Sequence, residues 1–333
     1  MKSHPSQVTD LSMLARAIRR ACQFTTAGTL CLLAPTVLAQ AGANSEDAYA
    51  LDGTVIEASA SAELESADSY QVKRTSAATR LSLTPRETPQ SVSVVTQAQL
   101  EDFQLTSALD ALEATPGVSV ERVETDRIYF TARGFYITNF QFDGIGAPMM
   151  YKNLQGDIDT AVYERIEVLR GANGLLSGTG NPSATVNFVR KRPTRDTQIA
   201  LSGSVGSWNK RRLEADVSGS LGEADRVRGR LVVAAQDADS YLDRLERESQ
   251  TVYGVVEIDM TDRTLLTAGH SWQRQNTDSP LWGALPLYYS DGSPTDFDVS
   301  TSTSADWAYW DNTDNRSFVE VSHLFANSWE GKA

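Results

Sequence analysis

Residues 212–221 read Arg-Leu-Glu-Ala-Asp-Val-Ser-Gly-Ser-Leu. Leu213, Ala215, Val217 and Leu221 alternate with Arg212, Glu214, Asp216, Ser218 and Ser220. A period of two puts successive side chains on opposite faces of a strand, here one apolar and one densely charged. The pattern runs outward in both directions. Ile199, Leu201 and Val205 alternate with Gln198, Ser202 and Ser204, and Val227, Leu231, Val233 and Ala235 alternate with Arg226, Arg228 and Arg230. Segments of about ten residues with this contrast match strands that cross a membrane as part of a β-barrel. A soluble β-sandwich would alternate too, so the connections decide. The expected links are 207–210, 222–225, 237–248, 261–262, 275–315 and 326–327. The second, fourth and sixth are tight while the third and fifth are long, as periplasmic turns and outer loops are. Six strands and the start of a seventh at Trp329 are expected over 196–333. A barrel needs at least about eight strands and plugged transporters have about 22, so the expectation is an incomplete barrel.

Residues 70–195 carry a different pattern, that of a small α+β domain. Ser91-Val92-Ser93-Val94-Val95 reads as a buried strand, and Thr96 followed by Gln99 is a capping box opening a short helix. Ser107 with Asp110 opens a second, carrying Leu109 and Leu112 and ended by Pro116-Gly117. Short strands over 117–121, 128–131 and 184–189 complete the expected mixed sheet.

The start of the chain sets the compartment. Lys2, Arg16, Arg19 and Arg20 precede an apolar run over 27–38 and the triplet Val37-Leu38-Ala39. This predicts a secretory signal peptide over 1–39, its apolar run too short to span a bilayer. Both cysteines, Cys22 and Cys31, fall inside it, so no disulfide is expected in the mature chain. Residues 40–69 are rich in Ala, Ser, Gly and acid and predict a flexible periplasmic tail. The formal net charge is −13, against nucleic acid as a partner. With no later apolar run of 18 residues, no membrane-spanning helix is expected.

Several motifs over residues 52–195 resemble the plug of TonB-dependent outer-membrane siderophore receptors. They are Arg86-Glu87-Thr88-Pro89-Gln90-Ser91-Val92-Ser93-Val94-Val95, Ala114-Thr115-Pro116-Gly117-Val118, Arg133-Gly134-Phe135, Asp143-Gly144, Glu164-Arg165-Ile166-Glu167-Val168-Leu169-Arg170-Gly171 and Gly178-Thr179-Gly180-Asn181-Pro182-Ser183-Ala184. Arg190-Lys191-Arg192-Pro193 and Trp282-Gly283-Ala284-Leu285-Pro286 resemble the subgroup taking ferric hydroxamate or mixed-chelate siderophores of the coprogen and pyoverdine kind. The fold so implied is an α+β plug domain followed by the first strands of an antiparallel transmembrane β-barrel, placed in the outer membrane of a Gram-negative bacterium.

The resemblance also implies partners and sites. The TonB box falls on Asp52, Gly53, Thr54, Val55, Ile56, Glu57 and Ala58, a segment able to pair as an added strand with periplasmic TonB. Arg133 and Arg170 fall where the plug meets the barrel wall, with Glu214 or Glu257 as candidate partners. Ligand contacts are expected from Tyr136, Asn139, Phe140 and Tyr151 in the plug and from Trp282, Tyr288 and Tyr289 outside. The siderophore already coordinates its iron, so neither protein metal ligands nor a cofactor are expected: ferric iron enters only as the siderophore complex. Uptake of cobalamin or haem, or a non-functional truncated fragment, are the alternatives. Gly171, Gly174, Gly178 and Gly180 lack the Lys-Ser/Thr ending of a nucleotide loop. His270 and His323, with no His-Glu-x-x-His or Gly-x-Ser-x-Gly, give catalysis no support.

Overall fold

A computed structural model of the protein describes residues 69–72, 74–75, 78–79, 83–147, 153–172, 181–222, 225–327 and 329–333. The expected signal peptide, the coupling segment and the tail up to residue 68, together with Tyr151, lie outside the described residues. No described helix is long and apolar enough to cross a membrane.

Up to Arg190 the described residues build a domain of short strands and two short helices. β1 (Ser91–Thr96) leads directly into α1 (Gln97–Asp102). The Thr96 side chain accepts the Gln99 N–H while the Gln99 side chain accepts the Thr96 N–H, the reciprocal cap its sequence announced. At α2 (Ala108–Glu113), Ser107 accepts the Asp110 N–H and the helix buries Ala108, Ala111 and Leu112. There follow β2 (Ser119–Arg122), β3 (Arg127–Ala132), β4 (Phe135–Tyr136), β5 (Asn139–Phe142), β6 (Ile145–Gly146) and β7 (Leu154–Gln155). The last two are β8 (Tyr163–Arg170) and β9 (Ala184–Arg190). One sheet has the order β1-β8-β9-β5-β6, with β5 parallel to β9, and β2-β3-β4 form a second sheet that β7 joins through β3. The domain's core holds Ile166, Val168, Val186 and Phe188, all at 1 % exposure or less.

Two family motifs turn out to be hairpin turns. Arg133-Gly134, with φ of 55° and 80°, links β3 to β4, and Asp143-Gly144, with 49° and 79°, links β5 to β6. Two left-handed residues in a row make the tight turn that matches strand twist, and a small polar residue before glycine tolerates it best.

From Gln198 the chain forms one antiparallel sheet of seven strands in sequence order. These are β10 (Gln198–Val205), β11 (Arg211–Ser220), β12 (Val227–Asp239), β13 (Glu246–Thr261), β14 (Thr264–Asp278), β15 (Tyr309–Leu324) and β16 (Glu330–Lys332). The sheet is open. The apolar row faces outward, with Ile199 and Leu201 at 74 % and Val205 at 86 % exposure, while Arg212, Asp216, Arg228 and Glu257 are buried on the other side. The third connection, expected to be long, is in fact only residues 240–245, because β12 and β13 keep pairing through the charged rungs Asp237 to Asp239 against Glu248 to Glu246. Backbone pairing needs no apolar side chain, so the strands outrun their apolar band. The fifth connection, 279–308, is long as expected.

Candidate functional site: the junction of plug and wall and its aromatic cavity

The inward charges of the wall sheet are matched by the domain it faces. Arg212 of β11 donates to both carboxylate oxygens of Asp159 at 2.8 Å, and Asp159 also caps the 3-10 turn Thr160–Val162 by accepting the Ala161 N–H. Beside this pair the wall reads the backbone. The Asp157 N–H donates to Gln275 Oε1 at 2.6 Å, Gln273 Nε2 donates to the Asp157 carbonyl at 2.7 Å, and the Asp159 N–H donates to Gln273 Oε1 at 3.2 Å.

A second clamp follows β9. Arg190 donates through its backbone N–H and Nε to Asp143, the residue of the β5–β6 turn. Lys191 pairs with Asp216 at 2.9 Å, its carbonyl accepts the Tyr253 hydroxyl, and Asp216 is held in turn by Arg230. Arg192 reaches Asp143 and Glu320, each within 3.3 Å, and Glu257 at 4.0 Å. Burial works against the charge of Arg192, but these three carboxylates outweigh it and hold the guanidinium above its ordinary range. The two clamps flank the β8–β9 hairpin. Each ion pair is buried, so losing one partner would strand the other charge in a dry junction.

A cavity of about 520 Å³ opens between the domain and the wall beside the long connection, lined by Arg127, Asn153, Gln155, Asp157, Trp282 and Trp310 among others. Trp282 stacks on Trp310 with ring centroids 5.1 Å apart, and the Arg127 guanidinium lies 4.0 Å over Trp282. Arg127 is held by Glu124, and the neighbouring apex is tied to the wall: Thr277 Oγ1 donates to Asp126 and Arg247 donates to the Thr125 carbonyl. A flat cation-and-aromatic surface of this kind suits a rigid, partly aromatic ligand. Asp157 accepts the Ile158 and Leu109 N–H groups at the cavity edge. Burial pushes its carboxyl up to about 7, against those hydrogen bonds and that of Ser107, and the nearby Asp110 adds to the rise.

The residues expected from the sequence fall in different places. Trp282 lines the cavity, and Tyr288 and Tyr289 are exposed on the long connection at 63 % and 55 %. Tyr136 is exposed and donates to Glu121 at 3.3 Å. Asn139 instead donates to Thr185 Oγ1, and Phe140, at 2 % exposure, packs edge-on to Phe130 in the core. The pleat of β5 turns Phe140 and Phe142 inward together, so Phe140 has no surface to offer a ligand. Among the described residues, the contacts of Arg133 and Arg170 lie inside the domain. Arg170 donates to Ser91 Oγ and the Pro116 carbonyl, which the β1–β8 register brings alongside it, and the Arg133 guanidinium covers the backbone of Gly171. Glu257 does meet an arginine from the domain, Arg192, whereas Glu214 pairs with Arg212 on its own strand. His270 and His323 bond Ser317 and Thr264 on neighbouring wall strands. Arg127, Asp157 and Trp310 of the cavity, and Asp159 beside Arg212, were missed because only the packing of the domain on the wall brings them to their partners. Among the described residues no cluster of His, Cys, Asp and Glu could hold a metal ion.

A folded domain clamped to the charged face of an antiparallel sheet whose other face is apolar defines a plugged outer-membrane barrel. The family model for the TonB-dependent receptor plug domain matches residues 84–185. Residues 84–185 thus match a TonB-dependent receptor plug, and the proteins that the chain is similar to over plug and wall are siderophore receptors. It is 42 % identical over 274 residues to the ferripyoverdine receptor of Pseudomonas aeruginosa, covering 80 % of this chain and 33 % of that protein. It is 30 % identical over 269 residues to the ferrioxamine B receptor of Salmonella typhimurium, covering 76 % and 37 %. The crystal structure of the P. aeruginosa ferripyoverdine receptor bound to ferripyoverdine superimposes with a TM-score of 0.77 at 41 % identity, covering 80 % of this chain and 36 % of that one. The chain thus spans about a third of the length of these relatives, which are transport receptors and not enzymes.

Proposed function

We propose that the receptor to which this chain contributes imports a ferric siderophore of the pyoverdine kind, taken up as a preformed complex. The observation that carries the proposal is the Arg127–Trp282–Trp310 cavity at the junction of plug and wall. The 42 % identity to a ferripyoverdine receptor favours a pyoverdine-type chelate over a simple hydroxamate. The exposed Tyr136, Tyr288 and Tyr289 are further candidate contacts. The outer membrane holds no nucleotide, so import needs an external source of work. We assign that coupling to TonB pairing with Asp52–Ala58, by strand addition.

The test is growth of a receptor-deficient strain on ferripyoverdine. The receptor carrying this chain is expected to restore it, and its Ile56→Pro variant to bind ligand normally while failing to transport, because proline removes a backbone donor. Equal growth with and without the receptor on ferripyoverdine would sink the substrate; undiminished transport by Ile56→Pro would sink the coupling segment.

A further inference from the structure

One outward rung of the wall changes character halfway along its length. It runs Ile199, Val217, Leu231, Gly254, His270 and Ser317, each opposite the next on the neighbouring strand. The first three are exposed apolar side chains on the face left for hydrocarbon. His270 and Ser317 are exposed on that same face. His270 Nδ1 bonds Ser317 Oγ at 2.8 Å, and Nε2 is the second hydrogen-bonding atom of the ring. The rungs on either side bring the apolar band back: Val256, Ala268 and Val319 on one, Val252 and Trp272 on the other, where Asn315 continues the polar end. A polar pair therefore sits inside the apolar band. Hydrocarbon holds no water to bond it, so an ionisable side chain there is costly without a partner.

The same patch has relief. A Cβ on Gly254 would meet no atom within 4 Å, so a dent one side chain deep lies beside His270, bounded along β13 by the exposed Val252 and Val256. Two strands away Val319 stands out at 70 % exposure, two residues from Ser317. A second copy in the same membrane shares the orientation of the first, so two copies meet about an axis along the membrane normal. With that axis beside β14, β13 of one copy faces β15 of the other. Each Gly254 dent then receives the Ser317–Val319 edge of the other copy, and the two imidazoles meet near the axis, where a neutral ring can both donate and accept. An acyl chain could fill the dent but offers His270 no hydrogen bond.

We propose that the outer face of β13–β15 around Gly254, His270 and Ser317 docks a second copy of the receptor, forming a two-fold dimer within the outer membrane. The contact uses the lipid face of the wall and does not depend on which ligand the receptor imports.

The experiment measures energy transfer between donor-labelled and acceptor-labelled copies of the full receptor in lipid vesicles, as the ratio of receptor to lipid is lowered. Wild type should associate. His270→Leu, which removes the polar pair, and Gly254→Leu, which fills the dent, should each weaken association about 10-fold, while Val233→Leu on β12 stays within about 2-fold. His270→Leu puts an apolar side chain toward lipid, so its barrel should fold as well as wild type, checked by heat-dependent mobility on gels. Receptors carrying Gly254→Cys should also cross-link to receptors carrying Ser317→Cys when the two are mixed. A wild type that stays monomeric overturns the proposal, as do equal association by all variants or a mixture that does not cross-link. Monomers that carry lipopolysaccharide lost in His270→Leu would assign the patch to lipid and overturn it too.

Discussion

On β8 and β9 the apolar row of Ile166, Val168, Val186 and Phe188 is lost from solvent, together with most side chains on the other face, whereas on β10 the apolar row of Ile199, Leu201 and Val205 is exposed. The wall buries Arg212, Asp216, Arg228 and Glu257 beside an apolar patch of Val232, Tyr253 and Val255, and the plug buries mainly aliphatic and aromatic groups around Glu167 and Asn187. Both regions use strands, and in both the pleat separates two kinds of side chain. What differs is which face meets lipid or water and which meets protein. In the plug the apolar face packs on itself, with Phe142 stacked on Phe188 at 5.3 Å. In the wall the apolar face is left for hydrocarbon, and the charged face must find its partners in the plug. The contrast teaches that the plug is the wall's polar counterpart: Asp159 and the Arg190–Arg192 run complete charges that the wall cannot satisfy alone.

The largest expected effect comes from breaking that complement. Arg212→Ala leaves the Asp159 carboxylate without its bidentate partner in the junction and should cost about 3–5 kcal/mol. The midpoint of urea unfolding of the receptor in detergent measures it. Arg226→Ala is the control, since its partner Asp262 is 95 % exposed and the pair should be worth under about 1 kcal/mol. Similar losses from both variants would mean the junction is wetter than its geometry implies.

Next comes the outer face. Leu201→Arg puts a charge on the lipid side and should destabilise the membrane-inserted receptor by roughly 2–4 kcal/mol if the site is near mid-bilayer. The inward neighbour Ser202→Arg should be tolerated far better in the same refolding titration into lipid vesicles. Equal effects would erase the distinction between the two faces of the wall.

A smaller effect sharpens the comparison at its seam. Asp157 has its carboxyl raised to about 7 from an ordinary 3.8, so the folded protein holds a proton there that the unfolded chain releases. Stability from this group is full below about pH 4 and declines as pH rises through 7. Asp157→Asn removes the charge and should gain on the order of 1–2 kcal/mol over wild type at pH 8, allowing for the surface it keeps on the cavity, and little at pH 4. Hydrogen exchange at the Leu109 amide, which Asp157 accepts, follows the local change. A variant whose advantage did not depend on pH would exclude this titration.

Much of the architecture was legible before any coordinates. The alternation over 198–235 set the wall strands, and the caps at Thr96 and Ser107 set both helices, because each depends on side chains within a few residues of one another. The turns Arg133-Gly134 and Asp143-Gly144 were visible as motifs, though their left-handed geometry was not. The lengths of β12 and β13 were underestimated, since pairing of Asp237 with Glu248 is decided by the ladder and not by hydropathy. The candidate site was the least legible part. Trp282 stood out as an aromatic in a long connection, but Phe140 looked equally available until the pleat of β5 turned it into the core.

The sequence by itself determined the period of each segment, the caps and turns, and therefore which faces are apolar and which charged. Only the tertiary structure decided which charge meets which: that Arg212 finds Asp159, 53 residues away, and that Arg170 stays with Ser91, 79 residues away. The physical reason is that periodicity is a local property, fixed by backbone geometry over a few residues. An ion pair, a stacked pair such as Trp282 on Trp310, or a cavity between plug and wall depends on the register and placement of whole sheets, which no short stretch of sequence contains.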